Sequence, residues 1–258
     1  MFVDSHCHLD RLKATDAELE KVVNEATQSG VEHMLCVAVS VKEFGQMRER
    51  VSHFSNVSMS CGVHPLHQED ACDLDTLMSH VVNDEVVAVG ETGLDYHYSA
   101  DTKETQLTSF VDHITAANKV KKPLIIHTRA AQQDTLDILN EHYEQDTGAV
   151  LHCFTESLEM AKAAIDMGIY ISISGIVTFQ SAKDLQETVK QIPLDKLLIE
   201  TDSPWLAPVP HRGKENQPKY VTNVAAFIAD LKGVSVEELA RHTTNNFYRL
   251  FKHIPRLS

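Results

Sequence analysis

Pro123-Leu124-Ile125-Ile126-His127-Thr128-Arg129 has a form that recurs along the chain: a few branched apolar residues, too few for a helix, ending on a histidine or an acid. Leu151-His152, Val89-Gly90-Glu91 and Leu198-Ile199-Glu200-Thr201-Asp202 repeat it. Short runs rich in Val and Ile read as buried parallel strands. Working outward, eight such runs occur, at 2–3, 34–39, 57–63, 86–90, 124–126, 149–151, 169–173 and 197–199. Between them, apolar residues fall at helical spacing. Thr15 to Glu18 has the form of a capping box ahead of Leu19, Val22, Val23 and Ala26, and Gly30 supplies the stop. Residues 73–83, 102–119, 130–145, 157–167 and 181–191 carry similar spacing. The alternation predicts an α/β fold, a single (β/α)8 barrel, with 219–232 and 235–251 as extra C-terminal helices. A doubly wound open sheet also fits the alternation, but no strand is followed by a Gly-x-Gly-x-x-Gly turn. No linker rich in Pro, Gly or Ser divides the chain, so residues 1–258 read as one domain.

Composition narrows the function. Of 258 residues, 43% are hydrophobic and 23% charged, which excludes a disordered tail or a collagen-like chain. A formal charge of −14 argues against coating DNA through bulk charge, though not against gripping one phosphate locally. No run of about 18 apolar residues could cross a bilayer, and no basic segment leads into an apolar one at the N-terminus. The five cysteines are irregularly spaced, with no Cys-x-x-Cys, as expected of a reduced, cytoplasmic protein. No obligate protein partner is evident.

The polar residues at the run ends carry the chemistry. Asp4, His6 and His8 alternate, and a strand puts alternate residues on one face. Alone, a His-x-His is weak. Five of the eight runs, however, end in a histidine or an acid: His6 and His8, Glu91, His127, His152, and Glu200 with Asp202. The C-terminal strand ends of such a barrel form its active face. Four histidines with two carboxylates suit one or two divalent ions, with zinc, manganese and magnesium all compatible.

These motifs resemble those of the TatD family of metal-dependent deoxyribonucleases, within the amidohydrolase superfamily. The resemblance extends over Asp4-Ser5-His6-Cys7-His8-Leu9-Asp10, Gly62-Val63-His64-Pro65, Gly90-Glu91-Thr92-Gly93-Leu94-Asp95-Tyr96, His152-Cys153-Phe154, Ser174-Gly175-Ile176-Val177-Thr178-Phe179 and Glu200-Thr201-Asp202-Ser203-Pro204, with Arg212-Gly213-Lys214 and Asn216 beyond. It implies that His6, His8 and Asp202 hold one ion, that His127 and His152 hold a second, and that Glu91 bridges the two. It also implies a phosphodiesterase acting at DNA ends or on a small phosphodiester. Asp202 would accept the proton of an ion-activated water and Glu200 would orient a ligand. A narrow mouth favours exonuclease action, and the competing reading is hydrolysis of a small ester, lactone or amide by the same ions.

Other residues are expected near substrate. His64 could touch phosphate, or be a packed loop histidine. Arg129 could do the same, or form a salt bridge. His211, Arg212 and Lys214 form a basic loop suited to phosphate, or a solvated turn. Asp95 and Tyr96 are expected to support the Glu91 loop, and Trp205 to pack beneath a loop rather than stack a base. Strand alternation is expected to turn Cys7 and Cys153 away from the site.

Overall fold

The computed structural model describes residues 1–256. Alternation sorts the strand residues into two apolar sets. One faces outward against the helices and includes Met34, Cys36, Leu124, Ile126, Ala149, Leu151, Leu197 and Ile199. The other faces inward and includes Val3, Leu35, Val87, Ile125, Val150 and Leu198. Because both faces are buried, runs such as Leu124–Ile126, Ala149–Leu151 and Leu197–Ile199 are apolar throughout, as parallel sheets favour.

The strands are β1 (Phe2–Cys7), β2 (Val31–Cys36), β3 (Val57–Cys61), β4 (Val86–Asp95), β5 (Leu124–Arg129), β6 (Ala149–Leu151), β7 (Tyr170–Ile173) and β8 (Leu197–Ile199). They pair in parallel in sequence order, forming one eight-stranded sheet. Beyond the end of β8 the sheet closes on β1. Asp202 N–H donates to the His6 carbonyl (2.9 Å), His8 N–H to the Ser203 carbonyl (2.7 Å), and the Ser5 hydroxyl to the Ile199 carbonyl (3.0 Å). The helices between strands are α1 (Asp16–Gln28), α2 (Phe44–Val51), α3 (Leu74–Val81), α4 (Lys103–Val120), α5 (Gln132–His142), α6 (Leu158–Asp166) and α7 (Lys183–Gln191). α8 (Val221–Lys232) and α9 (Val236–Leu250) follow β8. The fold is the expected (β/α)8 barrel with extra C-terminal helices.

Local chemistry sets several helix starts. Thr15 and Glu18 form the anticipated capping box on α1, and the Asp73, Ser157 and Ser235 side chains cap α3, α6 and α9. Each such cap contributes about 1 kcal/mol. Two features differ from the sequence reading. β2 starts at Val31 rather than Met34, because its polar Glu32 and His33 mask a strand; His33 is buried with its Nε2 2.9 Å from the Ser58 hydroxyl. α2 was not expected. It has no side-chain cap, and its buried residues are only Phe44, Met47 and Val51.

α9 stops the lower end of the barrel. Phe247, Leu250 and Phe251, with Ile254, pack against the inward-facing set from β1 to β8. The polar strand ends therefore face the opposite, open end.

Candidate active site

Two residues beyond three of the inward-facing apolar residues lies a site residue: His127 after Ile125, His152 after Val150, Glu200 after Leu198. The strand period thus aims them into the open mouth. β4 delivers Glu91 further along its length. The β4–β5 register pairs Gly93 with His127. Gly93 has φ +127°, and a Cβ there would lie 2.0 Å from the His127 carbonyl oxygen, so only glycine allows the two strands this approach.

Glu91 is the hub, and its two oxygens face different neighbours. Oε2 lies 3.3 Å from His6 Nε2 and 3.7 Å from His8 Nε2. Oε1 lies 2.6 Å from His152 Nε2, 3.1 Å from His64 Nε2 and 3.4 Å from His127 Nδ1. Asp202 Oδ1 sits on the first side, 3.4 Å from His8 Nε2 and 3.9 Å from His6 Nε2. Asp202 has φ +57°, a left-handed conformation that aspartate tolerates better than most residues, held by the backbone bond to His6.

For His8, His127 and His152 the outer partner of the imidazole fixes which nitrogen faces inward with a free lone pair, whereas His6 Nδ1 is buried without a partner. His8 Nδ1 donates to the Val37 carbonyl (2.8 Å), which leaves Nε2 as a lone-pair donor. His127 Nε2 donates to Asp95 Oδ2 (3.0 Å), leaving Nδ1. His152 Nδ1 faces Glu200 Oε1 (3.3 Å), leaving Nε2. His64 is the reverse. Its Nδ1 accepts the Leu66 N–H (2.9 Å), so in the neutral ring Nε2 carries the hydrogen and points at Glu91. His64 is therefore built as a donor, whereas His8, His127 and His152 are built as ligands.

Burial and neighbouring charge act together here. Burial pushes the Glu91 carboxyl up, but His152, His64 and His6 outweigh it and hold it well below the carboxylate range. Burial pushes His64 down to about 4. Burial, with His152 beside it, also lowers His6. Burial opposes charge on His152 as well, yet Glu91 and Glu200 raise it well above the usual imidazole value. Asp4, pushed by burial to about 8, accepts the Thr201 N–H (2.8 Å) and the Thr201 hydroxyl (2.6 Å), fixing the turn that presents Asp202.

The donor set fits divalent ions. His6, His8 and Glu91 bring ligand atoms within 4.8 Å of one another, as do His6, His152 and Asp202; His64 clusters with Glu91 and His127 as well, but presents an N–H there rather than a lone pair. His152 Nε2 approaches Glu91 without hydrogen-bond alignment, and it is buried with no partner. Glu91 and Glu200 draw a proton onto His152, and a divalent ion held by the same groups would take that proton's place.

The site opens into a cavity of about 640 Å³. His8, His64, Glu91, His127, Arg129, His152 and Asp202 line it. Arg129 lies over the Tyr98 ring at 4.7 Å. His211 stacks on Tyr220 and Arg212 lies over Phe179, on the loop that follows β8, outside the cavity lining; Lys214 is exposed on the same loop. Two expectations need correction. Trp205 does not pack beneath a loop: it is 49% exposed and lines the cavity. Cys153 also lines it, because φ +44° breaks strand alternation at that residue; Cys7 is buried as expected. Asp95 accepts the His97 and Tyr98 N–H groups and also bonds His127, a contact signalled in the sequence only by the even spacing that puts Asp95 on the strand face of Glu91.

The model of the TatD-related DNase family matches residues 3–252. The chain belongs to the TatD family. It is 51% identical over 251 residues to the metal-dependent hydrolase YcfH of Escherichia coli K12, covering 96% of this chain and 95% of that one. It is 33% identical over 239 residues to the 3'-5' ssDNA/RNA exonuclease TatD of Escherichia fergusonii, covering 90% and 92%. The crystal structure of the TatD homologue YjjV of Escherichia coli superposes with a TM-score of 0.90 at 28% identity, over 97% and 98% of the two chains. The chain is accordingly a metal-dependent hydrolase of the TatD family. Among the described residues no helix is long and apolar enough to cross a membrane.

Proposed function

We propose that this TatD-family hydrolase cleaves phosphodiester bonds at nucleic-acid ends, using two divalent ions. The observation that carries the reading is the division of Glu91, with one oxygen turned to His6 and His8 and the other to His127 and His152. A carboxylate disposed in this way suits two ions sharing it. His6, His8 and Asp202 would hold one, His127 and His152 the other, with Glu91 common to both. Zinc, manganese and magnesium all fit this mixture of imidazole and carboxylate.

Bound there, such ions would polarise a phosphodiester and acidify water. The chain's own groups do the rest. Asp202, 13% exposed at its side chain and open to the cavity, accepts the proton of the attacking water at a carboxylate oxygen. His64 donates from Nε2–H, a hydrogen bond available to a phosphate oxygen as well as to Glu91. Glu200 accepts from Cys153 N–H (2.7 Å) and holds the His152 ring in orientation. Arg129 brings positive charge to the cavity rim, and His211, Arg212 and Lys214 hold more distant phosphates. The relative named as a single-strand exonuclease supports the choice of nucleic acid over a small ester.

One metal-defined preparation tests this. Single-stranded DNA and a panel of small esters, lactones and amides are offered side by side, while bound ions are counted. Terminal cleavage of DNA with two ions per chain is expected. Turnover of the small substrates alone would move the assignment to the competing class, and saturation at one ion would end the two-ion reading.

A further inference from the structure

Six large apolar side chains are exposed among the described residues: Met1, Leu66, Val82, Tyr98, Trp205 and Val209. Three of them, Leu66, Tyr98 and Trp205, line the one cavity that holds the site. Exposed apolar surface gathered around a polar centre marks a place where a ligand covers it.

These three residues share another property. Each is tied through its backbone N–H to a site residue: Leu66 to His64 Nδ1 (2.9 Å), Tyr98 to Asp95 Oδ1 (2.8 Å), and Trp205 to the Asp202 carbonyl (3.0 Å). Asp95 in turn holds His127. The Trp205 backbone is fixed a second time by the buried Asn216, whose amide donates to the Trp205 carbonyl (2.6 Å) and the Thr201 carbonyl (2.8 Å). The indole stands edge-on to His8, with ring centroids 5.1 Å apart. The backbone of each rim residue is therefore set by a site residue.

We propose that Trp205, Tyr98 and Leu66 form a collar that receives the unpaired base of the terminal nucleotide. The proposal rests on the nuclease reading and extends it to the residues that read the substrate. Aromatic faces stack any base, and a base can enter between them only when it is released from its pairing partner. Because the indole sits against His8, a base stacked on it belongs to the nucleotide carrying the reacting phosphate or to its neighbour. The Arg129 guanidinium over Tyr98 places a cation for that phosphate beside the same wall.

Trp205 is the only tryptophan in the chain, so its fluorescence reports the contact directly. The metal-loaded protein is titrated with a single-stranded oligonucleotide whose terminal linkage is a hydrolysis-resistant phosphorothioate, and with the same strand ending in an abasic residue. Stacking quenches the indole with the first strand and not with the second. In turnover, the unmodified oligonucleotide is preferred over its abasic-ended counterpart by about 5- to 150-fold in kcat/KM, as loss of one base stack predicts. Trp205→Ala compresses that preference towards unity, with bound metal and thermal melt unchanged, and Trp205→Phe restores part of it. Equal quenching by both strands, equal turnover of both by the wild type, or an undiminished preference in folded Trp205→Ala would each overturn the collar while leaving the nuclease reading intact. If neither oligonucleotide is cleaved, both fall together.

Discussion

Replacing Asp95 by asparagine should disable one half of the site through a histidine tautomer. Asp95 Oδ1 accepts the N–H groups of His97 (3.0 Å) and Tyr98 (2.8 Å), and Oδ2 accepts from His127 Nε2. Asparagine keeps the two backbone bonds by turning its carbonyl oxygen to them. Its amide NH₂ then faces His127, and two donors cannot bond. The imidazole responds by moving its proton to Nδ1, the nitrogen that faces Glu91. A ligand becomes a donor. Loss of such an orienting partner costs about 10–100-fold in metal affinity or activity. The backbone bonds survive and the imidazole regains a hydrogen bond, so the fold should lose only about 1 kcal/mol. Calorimetric titration of the metal-free protein should show one ion binding as in wild type and the second weakened by that factor, with kcat falling in step. Long-range ¹⁵N–¹H NMR of the imidazole should show the tautomer exchanged. A folded Asp95→Asn protein that binds both ions with wild-type affinity and turns over normally would refute the reasoning.

Asp202→Asn keeps shape but removes basicity, so turnover should fall by about 10²–10⁴-fold while metal is only partly lost; a folded, metal-replete variant keeping more than about a tenth of wild-type kcat would exclude Asp202 as the base. Gly93→Ala places a Cβ against the His127 carbonyl at φ +127° and should cost at least about 2–3 kcal/mol in denaturant unfolding; an unchanged midpoint would show that β4 and β5 can separate there. Buried His113 is pushed down to about 4 by burial, with Nε2 accepting the Val63 N–H (3.0 Å) and Nδ1 donating to the Ser109 carbonyl (2.7 Å). The unfolded chain takes up this proton near pH 6.5 and the folded chain only near 4, so stability is present above pH 6.5 and lost as pH falls through that window. His113→Gln cannot titrate, and its advantage or deficit relative to wild type should shift in its favour by about 3 kcal/mol between pH 7 and pH 4; parallel pH profiles would contradict the assignment.

The strand ends made the barrel and the converging polar residues legible, because a period of two is all that is needed to carry Ile125 to His127 or Val150 to His152. Legibility failed where the backbone leaves that period. At Cys153 a left-handed turn keeps the side chain at the mouth, and after β8 the left-handed Asp202 swings Trp205 out to the rim. The Asp95–His127 bond joins residues far apart in sequence, and only the β4–β5 register that Gly93 permits brings them together. His64 shows a different limit. Its position at a strand end resembled that of the ligands, but the Leu66 N–H on its Nδ1 makes it a donor, and no spacing rule encodes a tautomer.

The seal that α9 makes beneath the barrel turns the cavity into a cul-de-sac. Phe247, Leu250 and Phe251 pack under the apolar residues that fill the barrel axis, Leu35, Ile125 and Val150 among them, so among the described residues no axial passage is left for a polymer to thread. Whatever enters must back out by the same door. On the proposed nuclease reading, the uncut remainder of a strand would trail into solvent throughout, and repeated trimming would proceed by withdrawal and re-entry, with each released product clearing the doorway before the next terminus is admitted.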